Sequence, residues 1–107
     1  TNPHNTTFGL KRGTTQIGNP AASGSRTINI GGISMGYYAD DNQSTIDNAS
    51  FQYFDTSRSS GTSQITYQVT LRNTTNSTFA LNRTISDVNS AGYERLTSNV
   101  TILEVAA

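Results

Sequence analysis

The stretch that decides the fold is Ile65-Thr-Tyr-Gln-Val-Thr-Leu-Arg72, in which four apolar residues alternate with four polar ones. Successive side chains of a β-strand point to opposite faces of a sheet. The alternation therefore predicts a strand with one buried face and one face in solvent. Its β-branched and aromatic residues also suit a pleated surface.

Shorter alternating runs predict further strands. Phe8 and Leu10 alternate with small or polar residues, and the Gly-Thr-Thr turn that follows predicts a hairpin with residues 16–18. The other predicted strands lie at residues 28–30, 51–54, 79–81 and 100–105. The last is the richest in apolar residues, which favours burial on both faces. Six or seven short strands separated by polar turns indicate a single all-β sandwich of jelly-roll type.

Composition supports this class. The 107 residues include 17 Thr, 13 Ser and 11 Asn, and the formal net charge is zero. A chain of this length suits one domain, which we assign to residues 8–107 behind a flexible arm at residues 1–7. Cysteine is absent, so there are no disulfides or thiolate metal sites. The neutral balance argues against nucleic acid, and no apolar run suits membrane insertion. The first residue is Thr rather than Met, as in a mature or excised product.

Four stretches are distinctive when taken in order: residues 8–18, 51–57 and 63–72, and the segment 81–83 followed by 93–107, which ends Val-Thr-Ile-Leu-Glu-Val-Ala-Ala. Together they resemble the C-terminal domains of bacteriophage tail-fibre and receptor-binding proteins. The resemblance implies a compact jelly roll of the complement-globular-head type, usually a homotrimer, displayed on the virion surface. It implies no catalytic residues.

The residues themselves also argue against an enzyme. The only histidine, His4, lies in the expected arm, and no serine-nucleophile motif is present. Asp40 and Asp41 are adjacent, without the spacing of a calcium loop, so we predict neither a metal site nor another cofactor. A sugar-cleaving tip is the alternative, and it would need two carboxyl groups about 5–9.5 Å apart in a groove.

Two predicted loops are candidates for receptor contact. Tyr37 and Tyr38 are consecutive, so simple alternation leaves one ring outside the core, and Asp40 and Asp41 follow them. Exposed aromatic rings stack on sugars or anchor protein contacts. The alternative is that one Tyr lies in the core and the other covers a sheet edge or a subunit interface. The second candidate loop contains Tyr93 and Arg95, and the same two interpretations apply to it.

The expected function is host attachment and trimerisation at the end of a virion surface fibre. The partners would be two further copies, other virion structural proteins, and a host surface glycan or protein. In such a trimer, Arg72 and Arg83 could pair with Asp55 or Glu104 of a neighbouring copy. The alternatives are a purely structural decoration or capping protein, and a carbohydrate-binding adhesin module.

Overall fold

The computed structural model describes residues 5–34, 48–56, 61–73 and 79–105. These residues form four strands and no helix: β1 (Asn5–Arg12), β2 (Thr15–Ile17), β3 (Gly31–Ser34) and β4 (Tyr67–Asn73). The all-β class is thus confirmed. The described residues include no apolar helix of membrane-spanning length.

The chain divides into two compact units. The described residues of the first unit are 5–34, 48–56 and 61–73, and they contain all four strands. Those of the second unit are 79–105, which contain a single isolated bridge between Arg83 and Arg95.

β1 is the central strand of one antiparallel sheet. One of its edges pairs with β4, from Thr6 opposite Asn73 to Arg12 opposite Tyr67. Its other edge is shared by β3, which pairs with residues 5–8, and β2, which pairs with residues 10–12. Every strand of the sheet therefore depends on β1 for its backbone hydrogen bonds.

The hairpin and the main strand were predicted correctly. β1 and β2 are joined at Gly13, whose φ of 58° glycine adopts without steric cost. β4 occupies residues 67–73, close to the predicted 65–72. The burial of its apolar residues is incomplete, however, because Val69 and Leu71, which lie on the same face, are each 41% exposed.

Other predicted boundaries need correction. β1 begins at Asn5, so residues 5–7 belong to the central strand rather than to a flexible arm, and Thr6 is buried there. Residues 1–4 lie outside the described residues. No strand forms at the predicted positions 28–30, 51–54, 79–81 or 100–105. Instead, β3 follows the first of these segments at Gly31-Gly-Ile-Ser34, where two glycines leave no alternation to detect.

The register places the apolar side chains of the sheet on one face, which we call the apolar face. Leu10 lies opposite Ile17 on one side and Val69 on the other, and Phe8 lies opposite Leu71. Of the apolar residues described, only Ile17 is buried. The first unit therefore has the pattern of a sheet with a core face but leaves much of that face incompletely covered.

Residues 51–55 pack on part of this face without joining the sheet. The ring of Phe51 lies 6.5 Å from that of Phe8, centroid to centroid. Tyr53 approaches Gly18, where an added Cβ would lie 3.1 Å from its ring. Asp55 contacts Arg12, whereas Phe54 is 75% exposed. Alternate side chains thus face the sheet, as predicted for this segment, although no ladder hydrogen bonds form.

The opposite face of the sheet is polar and centres on Gly9. Asn29 donates from its amide to Thr7 Oγ1 at 2.6 Å and accepts a hydrogen bond from the Gln16 amide. A Cβ at Gly9 would lie 2.6 Å from Thr70 Oγ1 and 3.1 Å from polar atoms of Asn29 and Gln16. The amide network therefore lies directly against the Gly9 backbone and leaves no room for a side chain.

We predict that Gly9→Ala destabilises the first unit by about 1–3 kcal/mol, because the new methyl group overlaps Thr70 and must displace the amide network. Gly61→Ala is the matched control, since an added Cβ there meets nothing within 4 Å. Urea unfolding of both variants measures the effect. Equal stability of the two variants would contradict the close packing around Gly9.

Candidate functional site

The predicted contact residues fall into two groups. Tyr37, Tyr38, Asp40 and Asp41 lie outside the described residues. Tyr93 and Arg95 lie in the second unit, on the two sides of Glu94. Only the second candidate loop can therefore be described by its geometry.

That loop is closed by a short antiparallel pairing. The Leu96 amide donates to the Asn82 carbonyl at 2.8 Å, and the Thr84 amide donates to the Glu94 carbonyl at 3.3 Å. Asn82 has a φ of 60°, a left-handed conformation that asparagine tolerates better than most residues. Residues 86–92 lie inside the loop that these bonds close.

An ion pair spans the loop. Arg95 donates from Nε to Asp87 Oδ1 at 3.0 Å and from Nη2 to Oδ2 at 2.5 Å. Two parallel bonds of this kind fix the guanidinium and the carboxylate in one orientation. Arg83 lies opposite Arg95 in the isolated bridge. Its guanidinium donates to the carbonyls of Thr84 and Ile85 at 3.1 and 3.2 Å. We refer to Arg83, Asp87 and Arg95 as the loop charge cluster.

The charges of this cluster stabilise one another. The hydrogen bond from Arg95 lowers the pKa of Asp87 below its usual 3.8, the positive charges of Arg95 and Arg83 lower it further, and desolvation opposes them. The same pair raises the pKa of Arg95. Asp87 is thus ionised at neutral pH and is poorly suited to act as a general acid.

The cluster remains open to solvent, because the side chains of Arg95 and Asp87 are both substantially exposed. Tyr93, which is half-buried, anchors the loop through its amide, which donates to the Ser90 carbonyl at 3.1 Å. The guanidinium groups of Arg83 and Arg95 both lie in this loop, as do the carboxyl groups of Asp87 and Glu94. Such a surface suits hydrogen bonding to hydroxyl or carboxylate groups of a ligand.

A second polar cluster lies in the first unit. Asp55 accepts hydrogen bonds from Arg12 Nη1 at 2.6 and 2.8 Å, and from the Tyr67 hydroxyl at 2.8 Å. The three side chains join β1, β4 and the segment that covers them, so the cluster is structural. Within the single chain Asp55 pairs with Arg12. The pairing of Arg72 or Arg83 with Asp55 or Glu104 of another copy stays a prediction.

Exposed apolar side chains form the largest feature that our site predictions missed. In the first unit, Val69 and Leu71 belong to the apolar face, and each is 41% exposed. In the second unit, residues 99–105, which we call the C-terminal segment, form no strand or bridge. The exposure of its Val100, Ile102, Leu103 and Val105 ranges from 65% to 83%. The apolar run in the sequence was the available signal, but we interpreted it as a buried strand.

Monomeric proteins rarely expose large contiguous apolar patches, so the exposed apolar residues of the C-terminal segment are a candidate interaction surface. No group of three potential metal-ligating side chains occurs within the residues described above.

Comparison with protein-family models, curated proteins and solved structures found no match to this chain. The geometry of the two units is therefore the basis for inferring function.

We predict that the Asp87 carboxyl group titrates below pH 3.8, and that Arg95→Gln raises its midpoint toward that value by removing the hydrogen bond. Because the pKa is lowered in the folded state, the stabilising contribution is present above the unfolded pKa and is lost as pH falls through the folded one. Carboxyl-carbon NMR measures both midpoints.

Arg83→Gln is the control for this titration, since Arg83 acts on Asp87 only through its charge and is the weakest of the contributors. It should raise the Asp87 midpoint less than Arg95→Gln does. Identical midpoints in the native chain and in Arg95→Gln would show that the ion pair does not form in solution.

Proposed function

We propose that this chain is a self-associating β module at the end of a virion surface fibre, where it trimerises the fibre and contacts the host. The observation that carries the self-association is the incomplete core. Of the described apolar residues only Ile17 is buried, while twelve large apolar side chains are exposed. Further copies of the chain would cover these side chains.

β4 is the longest edge strand of the sheet. Like β2 and β3 it pairs with β1 alone, so within the described residues its other edge has no partner strand. Natural proteins protect such edges with charges, prolines or a covering element. β4 contains one charged residue, Arg72, and no proline. Association along this edge would satisfy backbone groups and cover Val69 and Leu71 together.

The finer fold in this proposal is a jelly-roll sandwich. Its support is the alternate packing of Phe51, Tyr53 and Asp55 against the apolar face, which is how a second layer covers a sheet. The trimer and the virion location follow from the resemblance in the sequence. Other virion proteins and a host surface glycan or protein complete the proposed partners.

The host-contact surface would consist of the loop charge cluster together with Tyr93. Hydrogen bonds fix the guanidinium groups of the cluster in position, so binding a sugar or an acidic group would cost little side-chain entropy. Tyr37, Tyr38, Asp40 and Asp41 are further proposed contacts. A capping protein without host contact would share the self-association but would not need this cluster.

A carbohydrate-binding adhesin module is the second candidate, and one observation favours it. Phe54 is 75% exposed, whereas its neighbours Phe51, Tyr53 and Asp55 pack toward the sheet. An exposed aromatic ring offers a surface on which a sugar ring can stack. A module of this kind could act as a monomer, so its oligomeric state distinguishes it from the fibre-tip proposal.

We predict that light scattering over a dilution series gives a mass near three times 11.5 kDa. Leu71→Lys should shift the chain toward monomer, because it places a charge on the apolar face where cover is missing. Gln68→Lys is the control, since this exposed residue lies on the polar face of the same strand.

A mass of 11.5 kDa at every concentration would overturn the trimer proposal and leave the adhesin module. Equal masses for the two lysine variants would show that association does not use the apolar face of β4. Circular dichroism of both variants verifies that the strands are retained.

A further inference from the structure

Among the described residues, two features complement each other: the outer edge of the longest edge strand, which has no described partner strand, and an apolar segment outside the described sheet. The first is the outer edge of β4 in the first unit, and the second is the C-terminal segment, residues 99–105. We propose that the C-terminal segment of one copy adds as a strand to the β4 edge of the next copy, an inference that rests on the proposed self-association.

The C-terminal segment has the composition of a strand. It reads Asn-Val-Thr-Ile-Leu-Glu-Val, with three β-branched residues among its first four and a fourth at its end, and it contains neither proline nor glycine. The segment therefore fits a sheet edge in β-propensity, yet its described residues form no ladder in the structure of the single chain.

Strand addition would satisfy both features at once. The backbone groups of the segment and of the β4 edge would pair in a ladder, which supplies affinity largely independent of sequence. Alternate side chains of the segment would lie beside Val69 and Leu71 and extend the apolar face. This covering would reduce the exposure of the apolar side chains of β4, in the first unit of one copy, and of the C-terminal segment, in the second unit of the other copy.

The geometry of this contact also agrees with a trimer. A segment of one copy on the edge of the next is a head-to-tail contact, which uses two different surfaces and can close into a ring of three. Direct pairing of two β4 edges would instead use the same surface twice and close as a dimer. The proposed occupant of the edge is therefore the C-terminal segment of a second copy, and not its β4.

Disulfide mapping tests the proposal in the full chain, since the native sequence contains no cysteine. One tagged variant carries Leu71→Cys and is mixed under oxidising conditions with an untagged variant that carries a cysteine in the C-terminal segment. The untagged series replaces each residue from Val100 to Val105 in turn. Only a disulfide between two copies gives the mixed product on a non-reducing gel.

We expect high yields at every second position of the segment, because disulfides form only when the Cα atoms lie within about 7 Å and strand side chains alternate between faces. The best positions should exceed, by about tenfold, the yield with the tagged Thr14→Cys control. Thr14 is exposed in the turn between β1 and β2, away from β4.

Two results would overturn the inference. If the chain associates but all segment positions match the Thr14 control, the C-terminal segment does not occupy the β4 edge, and the proposed self-association stands without it. If the chain is monomeric at every concentration, the inference and the trimer proposal fail together.

Discussion

The antiparallel pairing of β1 with β4 is the interaction on which the rest of the described sheet depends. It holds β4 in a register that places Val69 beside Leu10 and Leu71 beside Phe8, and so creates the apolar face. The same strand, β1, supplies the edge used by β2 and β3. Because both edges of β1 are occupied, a further strand must add at the outer edge of β2, β3 or β4 or pack as a second layer.

This constraint explains which parts of the fold could be predicted. The β1–β2 hairpin depends on a local turn, and β4 shows a long alternation, so both were predicted from the sequence alone. Residues 51–54 and 100–105 alternate too, but a ladder needs a neighbouring edge, and alternation does not reveal whether one is available. Residues 51–55 settled as a cover on the apolar face, while residues 99–105 remained exposed.

The candidate site shows the same division. Tyr93 and Arg95 could be chosen from sequence because an aromatic and a cation lie together in a predicted loop. The participation of Asp87 could not be predicted, since its pairing with Arg95 requires the backbone to close at Asn82 and Leu96. The cluster of Arg12, Asp55 and Tyr67 was still harder to predict, because its members are far apart in the sequence. The sheet register places Arg12 beside Tyr67, and the packing of residues 51–55 on the sheet brings Asp55 to both.

The central claim is that apolar side chains left exposed by the single chain are covered by other copies. Hydrogen exchange of the backbone amides in β4 and residues 99–105, compared at high and low protein concentration, tests it most directly. The account predicts slow exchange in both segments when the chain is concentrated and faster exchange on dilution. Exchange in both segments that is independent of concentration would contradict it.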